Sequence, residues 1–459
     1  RFMDEWWALA AATLMAASLP FIHYSRGTFT EIPTLVLVAG GLWAADTAIR
    51  AQPRYAFGAG LLLGGAAMVR VDAWMVGVAL SLFLLTTTWF EEDQETWVAG
   101  RVLVGFLTTG ILGLFDLTIF AVPYFGLLRA SIIPLLAAMV VVRILVPASQ
   151  TPELVRLASL VQRNRRLVAN TLTVVFVAAI GFLWFVRPAL FPSRVFSPLG
   201  PYGLEPIQIR EGLPVDPTRN YAEMTVWWLT WYLGAPLTAL GFGGFIAALR
   251  RGIAKGQSAI RLPLLVFLVP TITYLVKPSV NADQIWAIRR FTPIVLPGLV
   301  LMGLGTAAYF YSRHQAGSRI RKLIVALTLA VSLPVVFTSA PLIAVADRPG
   351  VETQFANLCD NLGDAQSIVL VNDVPERPLS GLIGPPLRAW CGVSIAGASP
   401  ELAGTLGADA VIASSPDLIP GGANFSHILQ AEAWEASLTG APDATEIRSI
   451  ELYVGFAAR

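Results

Sequence analysis

Long apolar runs separated by short polar segments fill the first three quarters of the chain. A hydrocarbon core about 30 Å thick needs roughly 20 apolar residues in a helix, because backbone groups facing lipid must be satisfied within the helix. Eleven runs approach that length: residues 4–22, 31–48, 55–69, 73–90, 102–121, 132–147, 167–186, 224–248, 262–276, 291–311 and 322–345. The third and sixth runs are short. The pattern predicts a polytopic α-helical membrane protein with about eleven spans.

Lysine and arginine are concentrated in alternate loops between these runs. The richer loops contain Arg50 and Arg54; Arg101; Arg156, Arg163, Arg165 and Arg166; Arg250, Arg251, Lys255 and Arg261; and Arg313, Arg319, Arg321 and Lys322. The positive-inside rule assigns such loops to the cytoplasm. The opposite loops and the C-terminal tail should therefore face outward.

The residues after 345 have the composition of a soluble domain. Two apolar runs predict buried strands, two segments have helical spacing, and a last run can close the sheet. They are Ser367–Val371 and Ala408–Ala413; Thr353–Leu362 and Pro400–Leu406; and Ile447–Val454. We therefore expect two domains, a transmembrane domain over residues 1–345 and a small extracytoplasmic α/β domain over 346–459.

Composition supports the membrane assignment and removes some functional classes. The chain is 55% hydrophobic and 14% charged, which is more apolar side chain than a soluble globule buries. Because the net charge is only +2 and no basic patch is visible, we do not expect nucleic-acid binding. The two cysteines, Cys359 and Cys391, are too few for a zinc ligand set but leave one disulfide open if the tail lies outside the cytoplasm.

Polar residues at the outward ends of spans are the candidates for chemistry, because ionisable groups near a bilayer are costly. In the first outward loop, His23 and Arg26 precede Glu31, which begins a helix. The Glu31 carboxylate could ligate a divalent cation or orient a hydroxyl group, and Arg26 could pair with a phosphate. Alternatively, Glu31 only caps its helix and Arg26 extends to water.

Two further outward positions carry arginine. Arg70 and Asp72 lie in a tight turn, where they either pair with each other or bind a lipid phosphate. Arg289 and Arg290 lie on the outward side, where the positive-inside rule predicts few arginines. Their planar guanidinium groups suit binding of phosphate oxygens. Alternatively, they only anchor the helix at the lipid headgroups.

Three other features complete the sequence predictions. Gln284 precedes the arginine pair and is a candidate supporting residue, and Asp116 lies toward the outward end of a span, where it needs a polar partner or water. The segment Gly241-Phe242-Gly243-Gly244 lies inside a span, which favours close helix packing over dinucleotide binding.

These features resemble the GT-C glycosyltransferases, which include protein O-mannosyltransferases and aminoarabinose transferases. The resemblance rests on Arg26 and Glu31 before a helix, the Arg70-Val71-Asp72 turn, the Arg289-Arg290 pair and the C-terminal soluble domain. It implies an enzyme that takes a sugar from a polyprenyl-phosphate donor and transfers it to a protein, lipid or glycan acceptor outside the membrane. The expected location is a prokaryotic plasma membrane.

The resemblance also implies roles for individual residues. Glu31 matches the family's second acidic position, acting in acceptor orientation or in binding Mg²⁺ or Mn²⁺. Arg26, Arg70, Arg289 and Arg290 would bind the lipid phosphate, supported by His23, Asp72, Asp116 and Gln284. Because Glu31 would follow the family's third span, two spans and the principal catalytic carboxylate are expected upstream of Arg1.

Two other functions remain open at this stage. A transporter or flippase of lipid-linked intermediates would also need arginines at headgroup level, although no paired repeats are visible in the sequence. A non-catalytic membrane scaffold whose tail recruits partners is the other alternative.

Overall fold

The computed structural model describes residues 3–27, 29–90, 92–148, 151–194, 204–345, 349–373 and 379–456. The predicted domain boundary at residue 346 lies outside these ranges. The chain divides into two compact units. The first comprises residues 1–195, 219–343 and 438–441, and the second comprises residues 196–218, 344–437 and 442–459. Part of the long segment after residue 187 therefore belongs to the second unit.

Sixteen α-helices occupy the described residues up to position 339. They are α1 (Glu5–Ala16), α2 (Leu19–Ser25), α3 (Glu31–Arg50), α4 (Ala56–Val69), α5 (Trp74–Trp89), α6 (Asp93–Phe120), α7 (Val122–Ala148), α8 (Pro152–Arg163), α9 (Arg165–Gly181), α10 (Arg187–Leu190), α11 (Glu205–Arg210), α12 (Thr225–Leu233), α13 (Ala235–Ala254), α14 (Ser258–Val276), α15 (Val295–Ser312) and α16 (Arg319–Ser339). A π-helical turn, Phe182–Val186, joins α9 to α10, and 3₁₀ turns occupy Val71–Ala73 and Ala287–Arg290.

The membrane prediction is confirmed. Nine helices of the described residues are long and apolar enough to cross a bilayer, or ten if α1 and α2, which meet at 69°, form one bent span. The remaining predicted span, the third, at residues 55–69, is α4, a helix of 14 residues that is shorter than the roughly 20 that a crossing needs.

Several predicted spans differ in extent from the observed helices, two of them for a clear local reason. The sixth, predicted over 132–147, is the 27-residue helix α7, because Pro123 lies in its first turn, where a missing N–H costs no hydrogen bond. The run 224–248 is divided into α12 and α13 at Gly234, which has φ +76°. Only glycine adopts this left-handed backbone without strain.

Close helix packing at the glycine-rich segment of α13 is also observed. A methyl group added at Gly241 would lie 2.8 Å from the Leu299 carbonyl oxygen, and one at Gly244 would overlap the backbone of Met302. Both contacts are with α15, so these glycines let two helix backbones approach as small residues do in membrane bundles.

The second unit contains a five-stranded sheet and further helices. They are α17 (Val351–Leu362), β1 (Ser367–Val371), α18 (Leu379–Leu382), α19 (Gly384–Cys391), β2 (Ser394–Ala398), α20 (Pro400–Ala403), β3 (Ala410–Ala413), β4 (Phe425–Trp434) and β5 (Thr445–Phe456). The strand order is β2-β1-β3-β5-β4, with β1 parallel to β2 and β3, and with β5 antiparallel to β3 and β4. The α/β prediction is confirmed, although β2 and β4 were not predicted.

Strand β1 is buried on both faces. Ile368 and Leu370 pack into one core with α17 and α19, whereas Val369 and Val371 pack into a second core with β3 and α20. This two-sided burial explains the uninterrupted apolar run that marked the strand in the sequence. A disulfide between Cys359 and Cys391 links α17 to the end of α19.

Candidate functional site

Four segments bring charged side chains together at one end of the first unit. They are the start of α3, the turn between α4 and α5, the end of α14 and the 3₁₀ turn Ala287–Arg290. Each segment ends or begins a helix, so its polar side chains lie where the apolar helix surfaces stop. Residues far apart in the sequence therefore meet at one level.

Arg70 is the centre of this cluster. Its side chain is 6% exposed, and it donates from Nε to Asp72 Oδ1 at 3.0 Å and from Nη2 to Asp72 Oδ2 at 2.7 Å. Its Nη1 contacts Glu31 Oε1 and lies 3.2 Å from the Thr30 hydroxyl oxygen. One guanidinium group thus holds both carboxylates, and a two-point pair of this kind fixes orientation as well as charge.

Arg289 and Arg290 hold the same two carboxylates from the other side. Arg289 Nε donates to Glu31 Oε1 at 2.8 Å, and Arg290 Nη1 donates to Asp72 Oδ2 at 3.2 Å. The Arg289 guanidinium also lies 3.9 Å above the Trp286 ring, which restricts its plane. Tyr274 completes the set, since its hydroxyl donates to Asp72 Oδ2 at 2.5 Å.

The cluster has an excess of positive charge. Three guanidinium groups pair with two carboxylates, so one positive charge is not balanced within the set. Burial in a medium of low dielectric constant makes such an imbalance costly. An anion bound beside the cluster would remove this cost, which makes the site suited to a phosphate group.

A cavity of about 680 Å³ opens beside the cluster. Its charged lining residues are Arg70, Asp72, Asp116, Lys277, Arg289 and Arg290. Much of the remaining wall is apolar and comes from α6 and α7, including Leu114, Leu117, Leu128 and Leu135. The cavity therefore has a cationic side for an anionic group and an apolar side for hydrocarbon.

Glu31 lies behind this wall. Its side chain is fully buried, it does not line the cavity, and its Oε2 atom has no hydrogen-bond partner among the described residues. Glu31 reaches the cavity only through Arg70 and Arg289, which it holds in place. Direct contact with an acceptor hydroxyl, expected from the sequence, is not the arrangement in this structure.

The sequence also predicted a divalent cation at Glu31. Two guanidinium groups already contact Oε1 of this carboxylate, and their positive charge opposes a metal cation beside them. No group of three or more His, Cys, Asp or Glu side chains in the described ranges could hold a metal ion. The residues at Glu31 therefore do not fit Mg²⁺ or Mn²⁺.

Other predicted residues take different places. Arg26 is exposed and donates to the Ile343 carbonyl oxygen at 2.5 Å, outside the cluster. His23 packs against Tyr24 and Phe29 as an aromatic residue. Gln284 is buried and accepts a hydrogen bond from the Tyr232 hydroxyl at 2.9 Å, so it supports the loop before the arginine pair.

Asp116 and two residues that the sequence did not single out belong to the cavity. The Asp116 side chain is exposed and lines the wall that α6 contributes. Tyr274 and Lys277 flank the end of α14. A tyrosine two residues before the end of an apolar span, followed by a lysine, was the available sequence signal for both.

The apolar helices define an integral membrane protein, and the cavity at one end of them is lined by four cationic and two anionic side chains. Residues 1–112 match the family model described as dolichyl-phosphate-mannose-protein mannosyltransferase. This match supports the predicted assignment to the GT-C superfamily and implies a membrane glycosyltransferase that uses polyprenyl-phosphate sugar donors. The matched quarter of the chain contains Glu31, Arg70 and Asp72. A comparison with curated proteins finds no match.

Proposed function

We propose that this protein transfers a sugar from a polyprenyl-phosphate donor to a protein, lipid or glycan acceptor on the outer face of the membrane. The observation that carries the proposal is the pairing of Arg289 and Arg290 with the Glu31, Arg70 and Asp72 cluster beside one cavity. Three of these residues lie in the segment matched by the mannosyltransferase family, and the two arginines that complete the site come from outside it.

Arg289 and Arg290 are the residues that we assign to the donor phosphate. They are 21% and 30% exposed at the side chain, compared with 6% for Arg70. Neither Nη atom of Arg289 donates to a protein group within the described ranges. Both arginines can therefore direct N–H groups at phosphate oxygens while each keeps one bond to its carboxylate.

Arg70 has a different part in the proposal. Its Nε, Nη1 and Nη2 atoms already donate to Asp72, Glu31 and Thr30. It holds the two carboxylates that in turn position Arg289 and Arg290, so we assign Arg70 to positioning and to the electrostatic field of the site.

The chemistry that these residues serve is departure of the lipid phosphate. The bond between the sugar C1 atom and the phosphate oxygen breaks, and its electron pair goes to the phosphate. The acceptor oxygen forms the new bond to C1, and the proton of the acceptor hydroxyl passes to the released phosphate. Negative charge grows on the phosphate in this step, and cations fixed beforehand stabilise that charge without reorganising. Asp116, an exposed carboxylate on the same wall, can accept hydrogen bonds from sugar hydroxyl groups.

Two observations support the proposed orientation. The cluster lies at the ends of α3, α4 and α5 that are opposite to the loop with Arg50 and Arg54. The Cys359–Cys391 disulfide suits an oxidising compartment, which favours a C-terminal unit outside the cytoplasm.

The test uses the purified protein in liposomes with a radiolabelled polyprenyl-phosphate hexose and an acceptor extract. We expect transfer of label with release of polyprenyl phosphate, and a loss of about 10²- to 10³-fold in turnover for Arg289→Ala and Arg290→Ala. Arg26→Ala is the matched control, because Arg26 lies at the same level outside the cluster. Movement of the intact donor across the bilayer without cleavage would instead support a transporter.

A further inference from the structure

Helix α8 lies at the opposite end of the first unit from the Glu31 cluster. It connects α7 to α9, and its Gln162 amide donates to the Trp89 carbonyl oxygen at the end of α5. Helix α5 begins next to Asp72 and ends at Trp89, so the two sites lie at its two ends. Just after α8, the Arg165 guanidinium lies 4.5 Å from the Phe90 ring centroid.

Helix α8 exposes arginine and leucine side chains next to one another. Arg156, Ser159 and Arg163 are three and four residues apart, a spacing that places them on one side of a helix. Leu160 lies four residues after Arg156 and three before Arg163, so it shares this side, and Leu157 lies one turn before Leu160. The two leucines are 45% (Leu157) and 56% (Leu160) exposed. A short helix that exposes arginines beside leucines is typical of the membrane interface.

A recess of about 570 Å³ lies on this side of α8 and at the start of α9. It is lined by Ser159, Leu160, Gln162, Arg163 and Arg165. Neither Arg156 nor Arg163 forms an ion pair with any described residue. The recess thus combines two arginines, of which Arg163 has no acidic partner among the described residues, with one apolar side chain.

We propose that this recess binds the phosphate of an anionic phospholipid in the adjoining leaflet. Arg163 and Arg165 would grip the phosphate oxygens, with Arg156 one turn away adding to the field. Leu157 and Leu160 place the recess at the boundary between headgroups and acyl chains. Lipid phosphates are concentrated at this boundary and phosphates in solution are not, which favours binding of a lipid. This site is separate from the donor cavity and does not rest on the proposed transfer reaction.

The test measures binding of phosphatidylglycerol to the purified protein by native mass spectrometry, in detergent micelles that otherwise contain phosphatidylcholine. Removing two charges with Arg156→Gln and Arg163→Gln should weaken binding about thirtyfold, at roughly 1 kcal/mol per arginine. The control is Arg319→Gln with Lys322→Gln, which removes two exposed charges from the start of α16. Neither residue lines the recess, so we expect the control to lose far less affinity than the Arg156 and Arg163 double variant.

The outcomes separate a built site from general charge attraction. Equal losses in both double variants, or no loss in either, would overturn the proposal. In a second experiment, glycerol phosphate in solution competes with phosphatidylglycerol for the recess. If it displaces phosphatidylglycerol at comparable concentrations, the recess takes soluble phosphate and the lipid assignment is wrong. All substituted residues are exposed, and an unchanged Tm in each variant would verify folding.

Discussion

Arg70 and Asp72, two residues apart, form a two-point ion pair that also holds Arg290 and Tyr274 through the same carboxylate. Asp72 Oδ2 accepts from three donors, at 2.7 Å, 3.2 Å and 2.5 Å. Most of the organisation on this side of the cavity therefore depends on one carboxylate.

Replacing Asp72 with asparagine should destabilise the protein by about 3 kcal/mol, because it leaves the buried Arg70 cation short of a counter-charge. The Tm of the detergent-solubilised protein measures this effect. Asp46→Asn is the matched control, since Asp46 pairs with Arg50 at the same 2.7 Å but both side chains are over 40% exposed. We expect the control to cost at most about 1 kcal/mol. Similar Tm shifts for both variants would contradict the central position of Asp72.

Tyr274→Phe removes only the hydroxyl group that donates to Asp72. A hydrogen bond to a charged group contributes roughly 1.5–3 kcal/mol, so we expect kcat/KM for sugar transfer to fall by about tenfold or more. Tyr232→Phe is the control, because its buried hydroxyl donates to the neutral Gln284 amide oxygen away from the cavity. The control should lower Tm without changing transfer, and equal transfer rates in both variants would remove Tyr274 from the site.

Gly244 and Gly243 are neighbours in α13 with opposite surroundings. A methyl group at Gly244 would overlap the Met302 backbone, whereas one at Gly243 meets no atom within 4 Å. Gly244→Ala should therefore cost about 1–3 kcal/mol through overpacking. Gly243→Ala should leave Tm unchanged or raise it slightly, because alanine favours the helix. A larger loss at Gly243 would show that α13 and α15 pack differently.

The Cys359–Cys391 disulfide closes a loop with a sequence separation of 32 residues. A loop of this length constrains the unfolded chain by about 3–4 kcal/mol, so Cys359→Ser with Cys391→Ser should lower the stability of the second unit by that amount. Hydrogen–deuterium exchange of β1 and β3 in increasing urea measures it, because both strands share a core with α17 and α19, which the disulfide joins. A reducing agent should reproduce the loss in the unmodified protein and have no effect on the double variant.

Much of the fold was predictable because membrane helices and buried strands leave strong local patterns. Arg289 and Arg290 stood out because they oppose the charge asymmetry of the other loops, and β1 stood out because both its faces are buried. Strand β2 was missed because its sequence, Ser394–Ala398, has one large apolar residue and lies at the edge of the sheet. The break at Gly234 was missed because the flanking residues remain apolar throughout.

The candidate site was predictable as a set of residues but not as an arrangement. Glu31, Arg70 and Arg289 were all singled out, yet no sequence pattern gives the neighbours of a span within a bundle. The burial of Glu31 behind two arginines depends on how α3, α4 and α14 pack. Because of this burial, we assign Glu31 to positioning the arginines and not to contact with the acceptor. Arg26 was misplaced for the same reason, since it is only five residues from Glu31 but faces outside the cluster.

The unequal lengths of α4 and α6 set the depth of the cavity below the end of α6. Gly113 of α6 packs against Met68 near the end of α4, and α6 then continues seven residues to Phe120, a rise of about 10 Å. Arg70 therefore lies at the foot of a wall rather than at its rim. Water must descend along that wall to reach the guanidinium groups, and a thicker bilayer lengthens its path. We therefore expect membrane thickness to affect the hydration of the guanidinium groups, and through it the strength of their electrostatic interactions.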